Sequence, residues 1–302
     1  MIKLKRNFTL KQQETISGWV FTAPLLLGLA VFTYGALIYS LYISLTKWDL
    51  LTPEVFIGLK NYERILSDDN FKESLLNTLF FVVTLVPLGI ALAMALAILL
   101  NRKLKGITFF RAAIYLPSIT PTIAVAMVWL WIFNPDQGVI NSVLHLFGIV
   151  DPPRWLESVI WAKPALMIMR LWQVCGFYML MYLSGLQGIP NELYEASELD
   201  GATPWQKTRF ITIPLLANTT FLASTLLIIE SFNIFESIYV MTRGGPGGST
   251  NTLMYYIYNR AFQSSIPQMG YASSMGWVLF VILFVVTLLQ FQARHKNEHI
   301  GM

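Results

Sequence analysis

Cysteine and histidine are nearly absent from this chain. Its 302 residues hold one cysteine, Cys175, and three histidines, His145, His295 and His299. A lone cysteine excludes a disulfide framework and, inside an apolar run, reads as a small packing residue. The histidines lack the ligand spacing of a zinc site, so no metal is expected. Charged residues make up only 13% of the chain, about half the share in a soluble globular domain. No Gly-Lys pair occurs anywhere, so the chain has no GxxxxGK[ST] phosphate loop and no means of its own to bind ATP by that route. Paired catalytic carboxylates, a Ser/His pair and HExxH are also missing from the apolar runs, which argues against an intramembrane enzyme.

What is plentiful is apolar sequence, at 55% of residues. Several runs reach the ~20 residues that a helix needs to cross ~30 Å of hydrocarbon. The reading is an all-α polytopic membrane protein, a single domain over 1–302, with six spans near 19–45, 77–100, 111–133, 162–186, 215–241 and 272–293. The first run is too long for a cleaved signal peptide, and Pro24 and Gly28 predict a bend within it. Trp19 and Trp48 flank it as interfacial anchors do. Pro117 and Pro121, with Ser118, Thr120 and Thr122, interrupt the third run, as in flexible or cavity-lining transporter helices.

Charge orients the spans. Lys3, Lys5, Arg6, Lys11, Arg102, Lys103, Lys105, Arg111, Lys207, Arg209, Arg294 and Lys296 fall on one side, against six acids (Glu14, Glu192, Glu195, Glu198, Asp200 and Glu298). The opposite loops carry eight cations against nine acids. The positive-inside rule puts both termini, and the loop between the fourth and fifth spans, in the cytoplasm. The net charge of +4 reflects this asymmetry rather than affinity for nucleic acid.

That loop is ordered beyond the needs of a connector. Pro190 stops the fourth span, Asn191 can cap a short helix with Glu192 in its first turn, and Asp200-Gly201 can turn the chain. Thr203 can then cap a second helix with Pro204 at its first position. On the first helix, Leu193, Ala196 and Leu199 predict a face to bury, with Glu192, Glu195 and Glu198 on another.

Glu195-Ala196-Ser197, three residues, Gly201, nine residues and Ile211-Thr212-Ile213-Pro214 resemble the EAA loop of ABC-importer permeases. The family pattern has Ala where Ser197 stands and Leu where Ile213 stands. The resemblance implies a coupling hairpin that docks on a separate ATPase through Glu195, Ala196, Ser197, Gly201, Ile211 and Pro214. Gly58-Leu59-Lys60-Asn61-Tyr62 and Thr242-Arg243-Gly244-Gly245-Pro246, followed by Thr250, Leu253, Tyr256, Tyr258 and Phe262, are similar to outer segments of the sugar-permease class. That class carries oligosaccharides and glycerol-3-phosphate. It implies a second permease subunit, an ABC ATPase dimer that holds ATP and Mg, an extracytoplasmic sugar-binding protein and surrounding membrane lipid, with no cofactor on this chain. From the residues themselves, Gly244-Gly245-Pro246 breaks the helix. An aromatic helix near 251–262 then reads as either an interfacial anchor or a contact for a substrate-delivering protein.

Intramembrane polar groups point to the pathway. Arg170, Gln173, Val174 and Phe177 share one helix face, and the resemblance implies that Arg170, Gln173 and Phe177 line the substrate cavity. Glu230, Asn233 and Ser237 share a face of the fifth span, with Ser231 and Glu236 beside it. Two readings stay open: a structural Arg170–Glu230 salt bridge, or hydrogen bonds to sugar hydroxyls. An unpaired Arg170 would favour an anionic sugar. The alternative function is an ion-coupled carrier using Glu230 and Arg170. Residues 1–150 and 151–302, however, lack the internal repeat such carriers often have.

Overall fold

The computed structural model describes residues 9–102 and 105–300. Lys3, Lys5, Arg6 and Lys103 of the charge tally lie outside them, as do the side chains of His295, Lys296, Glu298 and His299. Five helical segments are long and apolar enough to cross a membrane: Glu14–Ser44, Asp69–Leu100, Ala162–Gln187, Ala217–Met241 and Met269–Arg294. A bent pair supplies a sixth if its two arms count as one span. By contact, the chain divides into two compact units.

The first unit comprises Met1–Leu66 and Arg260–Trp277. Helix α1 (Leu10–Gly28) contains Pro24 and runs into a π-helical stretch, Leu29–Gly35, then α2 (Ala36–Ser44). The ladder therefore changes directly after Gly28, where the sequence predicts a bend. A short antiparallel ribbon follows, β1 (Thr46–Lys47) against β2 (Val55–Phe56), so the fold is not helical throughout. Helix α3 (Lys60–Ser67) brings in Asn61, whose buried amide donates to the carbonyls of Ser44 and Thr46, both at 2.8 Å. Asn61 thus satisfies the Ser44 carbonyl, which the end of α2 leaves without a partner, and ties it to the Thr46 carbonyl of β1, a physical reason for the Gly58–Tyr62 segment. Gly270 approaches the Thr46 carbonyl so closely that a Cβ there would collide with it.

The second unit comprises Ser67–Asn259 and Val278–Met302. Helix α4 (Asp69–Leu100) starts well before residue 77, because Asp68 caps it by accepting from the N–H groups of Asn70 and Phe71. Helices α5 (Ile107–Ile119) and α6 (Thr122–Ile132) meet at 101°. The third run, expected near 111–133 with an interruption at Pro117 and Pro121, is thus two short arms that part directly before Pro121 and Thr122. Thr120, preceding Pro121, is extended (φ −80°, ψ 135°), since a residue before proline avoids the helical region. After α7 (Val139–Leu146), helix α8 (Ala162–Gln187) forms the centre: 67% of its apolar window is buried, against 22% for α4. Phe81 and Leu85 of α4 and Leu166, Met169, Met179 and Tyr182 of α8 belong to one core cluster.

Helices α9 (Asn191–Leu199), α10 (Pro204–Lys207) and α11 (Ile213–Leu215) form the inter-span loop. The fifth span is α12 (Ala217–Phe232) and α13 (Glu236–Met241), interrupted at residues 233–235. Helix α14 (Leu253–Tyr258) is no surface anchor, since Leu253, Tyr255 and Tyr256 are buried. Its N-terminus is tied to α4: Leu253 N–H donates to Thr78 Oγ1 at 2.8 Å, and Asn77 donates to the carbonyls of Gly248 and Asn251. The last helix is α15 (Met269–Ile300).

Candidate functional site

The break between α5 and α6 opens a cavity of about 260 Å³ against α8 and α12. It is lined by Ser118, Thr122, Arg170, Gln173, Phe177, Tyr178 and Glu230 among others. Arg170 is 6% exposed, and a buried guanidinium requires partners. Its Nη2 donates to Glu230 Oε1 at 2.7 Å and its Nη1 to Gln173 Oε1 at 2.8 Å. Gln173 in turn donates to Thr122 Oγ1 at 3.1 Å, and the Tyr178 hydroxyl donates to Glu230 Oε2 at 3.1 Å. The Glu230 side chain remains 40% exposed. One network therefore joins α6, α8 and α12 around a cavity whose central charges cancel.

Ser118 adds a second tie. Its Oγ donates to the Gln173 carbonyl at 2.7 Å and accepts from the Phe177 N–H at 3.0 Å. A hydroxyl from α5 thus bridges one step of the α8 backbone, between two side chains that line the cavity. The helices can come this near because Gly176 lies against the Ile114 carbonyl, where a Cβ would collide. Small residues permit such backbone approach between membrane helices.

Of the residues expected at the pathway, Arg170, Gln173, Phe177 and Glu230 come together here. Asn233 and Ser237 do not. Asn233 is exposed and donates to the Ile229 carbonyl, ending α12; Ser237 is buried outside the cavity. The backbone turns at Phe235 (φ −135°, ψ −61°), which breaks the periodicity that put Ser237 beneath Glu230. The anionic-sugar condition also fails, because Arg170 is paired. Sequence reasoning missed Tyr178 and used Ser118 and Thr122 only as helix interruptions. Tyr178, at i+8 from Arg170, was on the same stripe and could have been found.

The inter-span loop is a hairpin held by local bonds. Helix α9 ends with Gly201 at φ +76°, with Gly201 N–H donating to the Glu198 carbonyl and Ala202 N–H to the Ser197 carbonyl. That is the glycine-terminated Schellman closure. Thr203 and Gln206 form a capping box on α10. Lys207 reaches back to Glu198 at 2.6 Å, and Tyr194 bonds Thr212 at 3.0 Å. Asn191 is the first helical residue rather than the cap, and Pro190 precedes it with no side-chain bond.

The face expected to be buried is open: Leu193 is 43% exposed and Leu199 91%. Glu195, Ala196 and Pro214 are exposed as well, while Ser197 and Ile211 are half-buried. Ser197, Gly201 and Ile211 border a cavity of about 310 Å³ between the two halves of the hairpin.

Residues 86–295 match the family described as binding-protein-dependent transport system inner membrane component. The chain is 36% identical to a probable ABC transporter permease, YesP, of Bacillus subtilis, over 95% of this chain and 93% of that one. It is 34% identical to the lactose transport system permease LacF of Rhizobium radiobacter (96% and 98%) and to the trehalose/maltose transport system permease MalF of Thermococcus litoralis (93% and 94%). A solved bacterial alginate ABC transporter, in complex with an alginate pentasaccharide-bound periplasmic protein, shares the fold. Its TM-score is 0.81 at 21% identity, over 92% of this chain and 93% of that chain. On these grounds the chain belongs to the inner-membrane permease family of binding-protein-dependent ABC transport systems.

Proposed function

We propose that the chain is one permease subunit of an ATP-driven importer for a neutral sugar or oligosaccharide. Its two units act as one transmembrane domain with six crossings, the bent α5–α6 pair counting as one. Relatives that transport lactose and trehalose/maltose, matched over nearly their whole length, support the substrate class. The observation that carries the reading is the neutralised, hydrogen-bonding cavity around Arg170 and Glu230. Amide, hydroxyl and carboxylate groups suit sugar hydroxyls, and a cancelled charge gives an anionic sugar no advantage. At about 260 Å³ the cavity lies below the ~300–1,000 Å³ of a whole ligand site. A second permease subunit supplying the opposite wall accounts for that shortfall.

Both termini and the Asn191–Pro214 hairpin face the cytoplasm on this reading, following the asymmetry of Lys and Arg. The exposed side of α9, with Glu195 and Leu199, docks on an ABC ATPase dimer that holds ATP and Mg; this chain binds no cofactor. Closure of the ATPases pushes on the hairpin, and the spans reopen the cavity to the other side. An extracytoplasmic binding protein delivers the sugar. The test is uptake of labelled neutral and anionic oligosaccharides into proteoliposomes carrying the complete complex. Uptake that prefers anionic sugars would overturn the substrate assignment.

A further inference from the structure

A third cavity, of about 480 Å³, lies within the first unit and shares no lining residue with the cavity around Arg170 or with the hairpin cavity. Three cations border it, Lys47, Lys60 and Arg64, against one carboxylate, Asp49. Asp49 is engaged elsewhere: its Oδ1 accepts from Leu51 N–H, Thr52 N–H and the Thr52 hydroxyl at 2.8–3.0 Å. Lys47 and Lys60 form no ion pair among the described residues. The Arg64 guanidinium lies 4.1 Å over the Tyr271 ring. Gln268 Oε1 is buried on the same wall and accepts no hydrogen bond from any described residue.

The position of this cavity is as informative as its charge. Two candidate spans end at it. Glu14–Ser44 terminates just before Lys47 and Trp48, and the first residue of α15, Met269, donates its N–H to the Trp48 carbonyl at 2.9 Å. Tryptophan at the end of an apolar helix marks the headgroup level. Basic pockets on the cytoplasmic side of membrane helices hold anionic lipid headgroups, and on the orientation proposed above this pocket presents the same chemistry at the opposite face. Ile57, Ile266 and Pro267 supply apolar wall, and Asn61, also on the lining, has its amide committed to the Ser44 and Thr46 carbonyls. A ligand that fits must carry negative charge, an apolar stem and a hydroxyl donor for Gln268. We infer that this pocket binds the phosphodiester headgroup of an anionic glycerophospholipid, with Lys47, Lys60 and Arg64 on the phosphate and Gln268 accepting from a headgroup hydroxyl.

Native mass spectrometry of the intact permease complex, titrated with phosphatidylglycerol, phosphatidylcholine or glycerol phosphate, tests this. Phosphatidylglycerol should bind more tightly than the other two. Lys47→Ala/Lys60→Ala should weaken it about 30-fold, at ~1 kcal/mol per cation near a charged surface. Lys47→Arg/Lys60→Arg should retain binding, and unchanged melting of both variants without added lipid would exclude misfolding. Equal binding of phosphatidylcholine, equal binding of glycerol phosphate, or undiminished phosphatidylglycerol binding by the alanine variant would each overturn the inference. So would an alanine variant that keeps its lipid but loses affinity for an acidic extracytoplasmic protein.

Discussion

Arg170 of α8 and Glu230 of α12 stand 2.7 Å apart, and the pair carries the charge balance of the whole cavity. Removing one partner leaves the other uncompensated. Glu230→Gln should destabilise the protein by about 2 kcal/mol, below the ~3–5 kcal/mol of a fully buried pair because Glu230 is partly exposed. A melting curve in detergent should register a drop of about 3 °C for a chain of this size. Arg170→Met/Glu230→Leu should recover most of that stability while transport stays lost. A double variant that still transports would remove the pair from the pathway.

Ser118 makes a narrower prediction. Ser118→Ala deletes both the donor to the Gln173 carbonyl and the acceptor for the Phe177 N–H. The loss should be about 1–2 kcal/mol in stability, together with a higher KM for sugar, because Gln173 and Phe177 line the cavity. Gly176→Ala should be worse, since its Cβ meets the Ile114 backbone, which cannot move aside as a side chain could. A Ser118→Ala protein with wild-type KM would reduce the bridge to packing.

Much of this architecture was legible in hydrophobic length alone. The fourth span, expected near 162–186, is Ala162–Gln187, and the sixth, expected near 272–293, is Met269–Arg294. Local chemistry was equally readable at Thr203-Pro204 and Gly201, where capping and a left-handed residue have few alternatives. What escaped was set by tertiary geometry. Pro121 announced a break, but its 101° angle depends on what α5 and α6 pack against. Helical periodicity linked Glu230 to Ser237 only if α12 ran on through Phe235, and it does not. The aromatic segment of α14 read as either an anchor or a protein contact, and nothing local announced that Thr78 and Asn77 tie its N-terminus to α4. Ser118 touches α8 from 55 residues away in sequence, and no local pattern encodes that.

Asn61 tests the first unit independently. Its amide satisfies two carbonyls, those of Ser44 and Thr46. Asn61→Ala should cost about 1–3 kcal/mol, the range for leaving buried polar groups unsatisfied. Hydrogen exchange should rise locally at residues 44–47 and 269–271. Unchanged protection there would show that water replaces the amide without cost.

The hairpin should separate stability from coupling. Leu199 is 91% exposed, so Leu199→Asp should change melting by no more than the ~0.5 kcal/mol usual for surface sites. ATPase co-purification should nevertheless fall at least tenfold, as should that of Glu195→Lys. Gly201→Val places a β-branched residue at φ +76° and should lower stability as well. Retained docking in Leu199→Asp would move the ATPase contact elsewhere on the chain.

The most direct test is sugar uptake by proteoliposomes containing this chain, its second permease, the ATPase and the binding protein. Neutral oligosaccharide should accumulate only with ATP and all four components, and Leu199→Asp should abolish accumulation while leaving the chain folded. Uptake driven by an ion gradient without the ATPase would contradict an ATP-driven permease coupled through this hairpin.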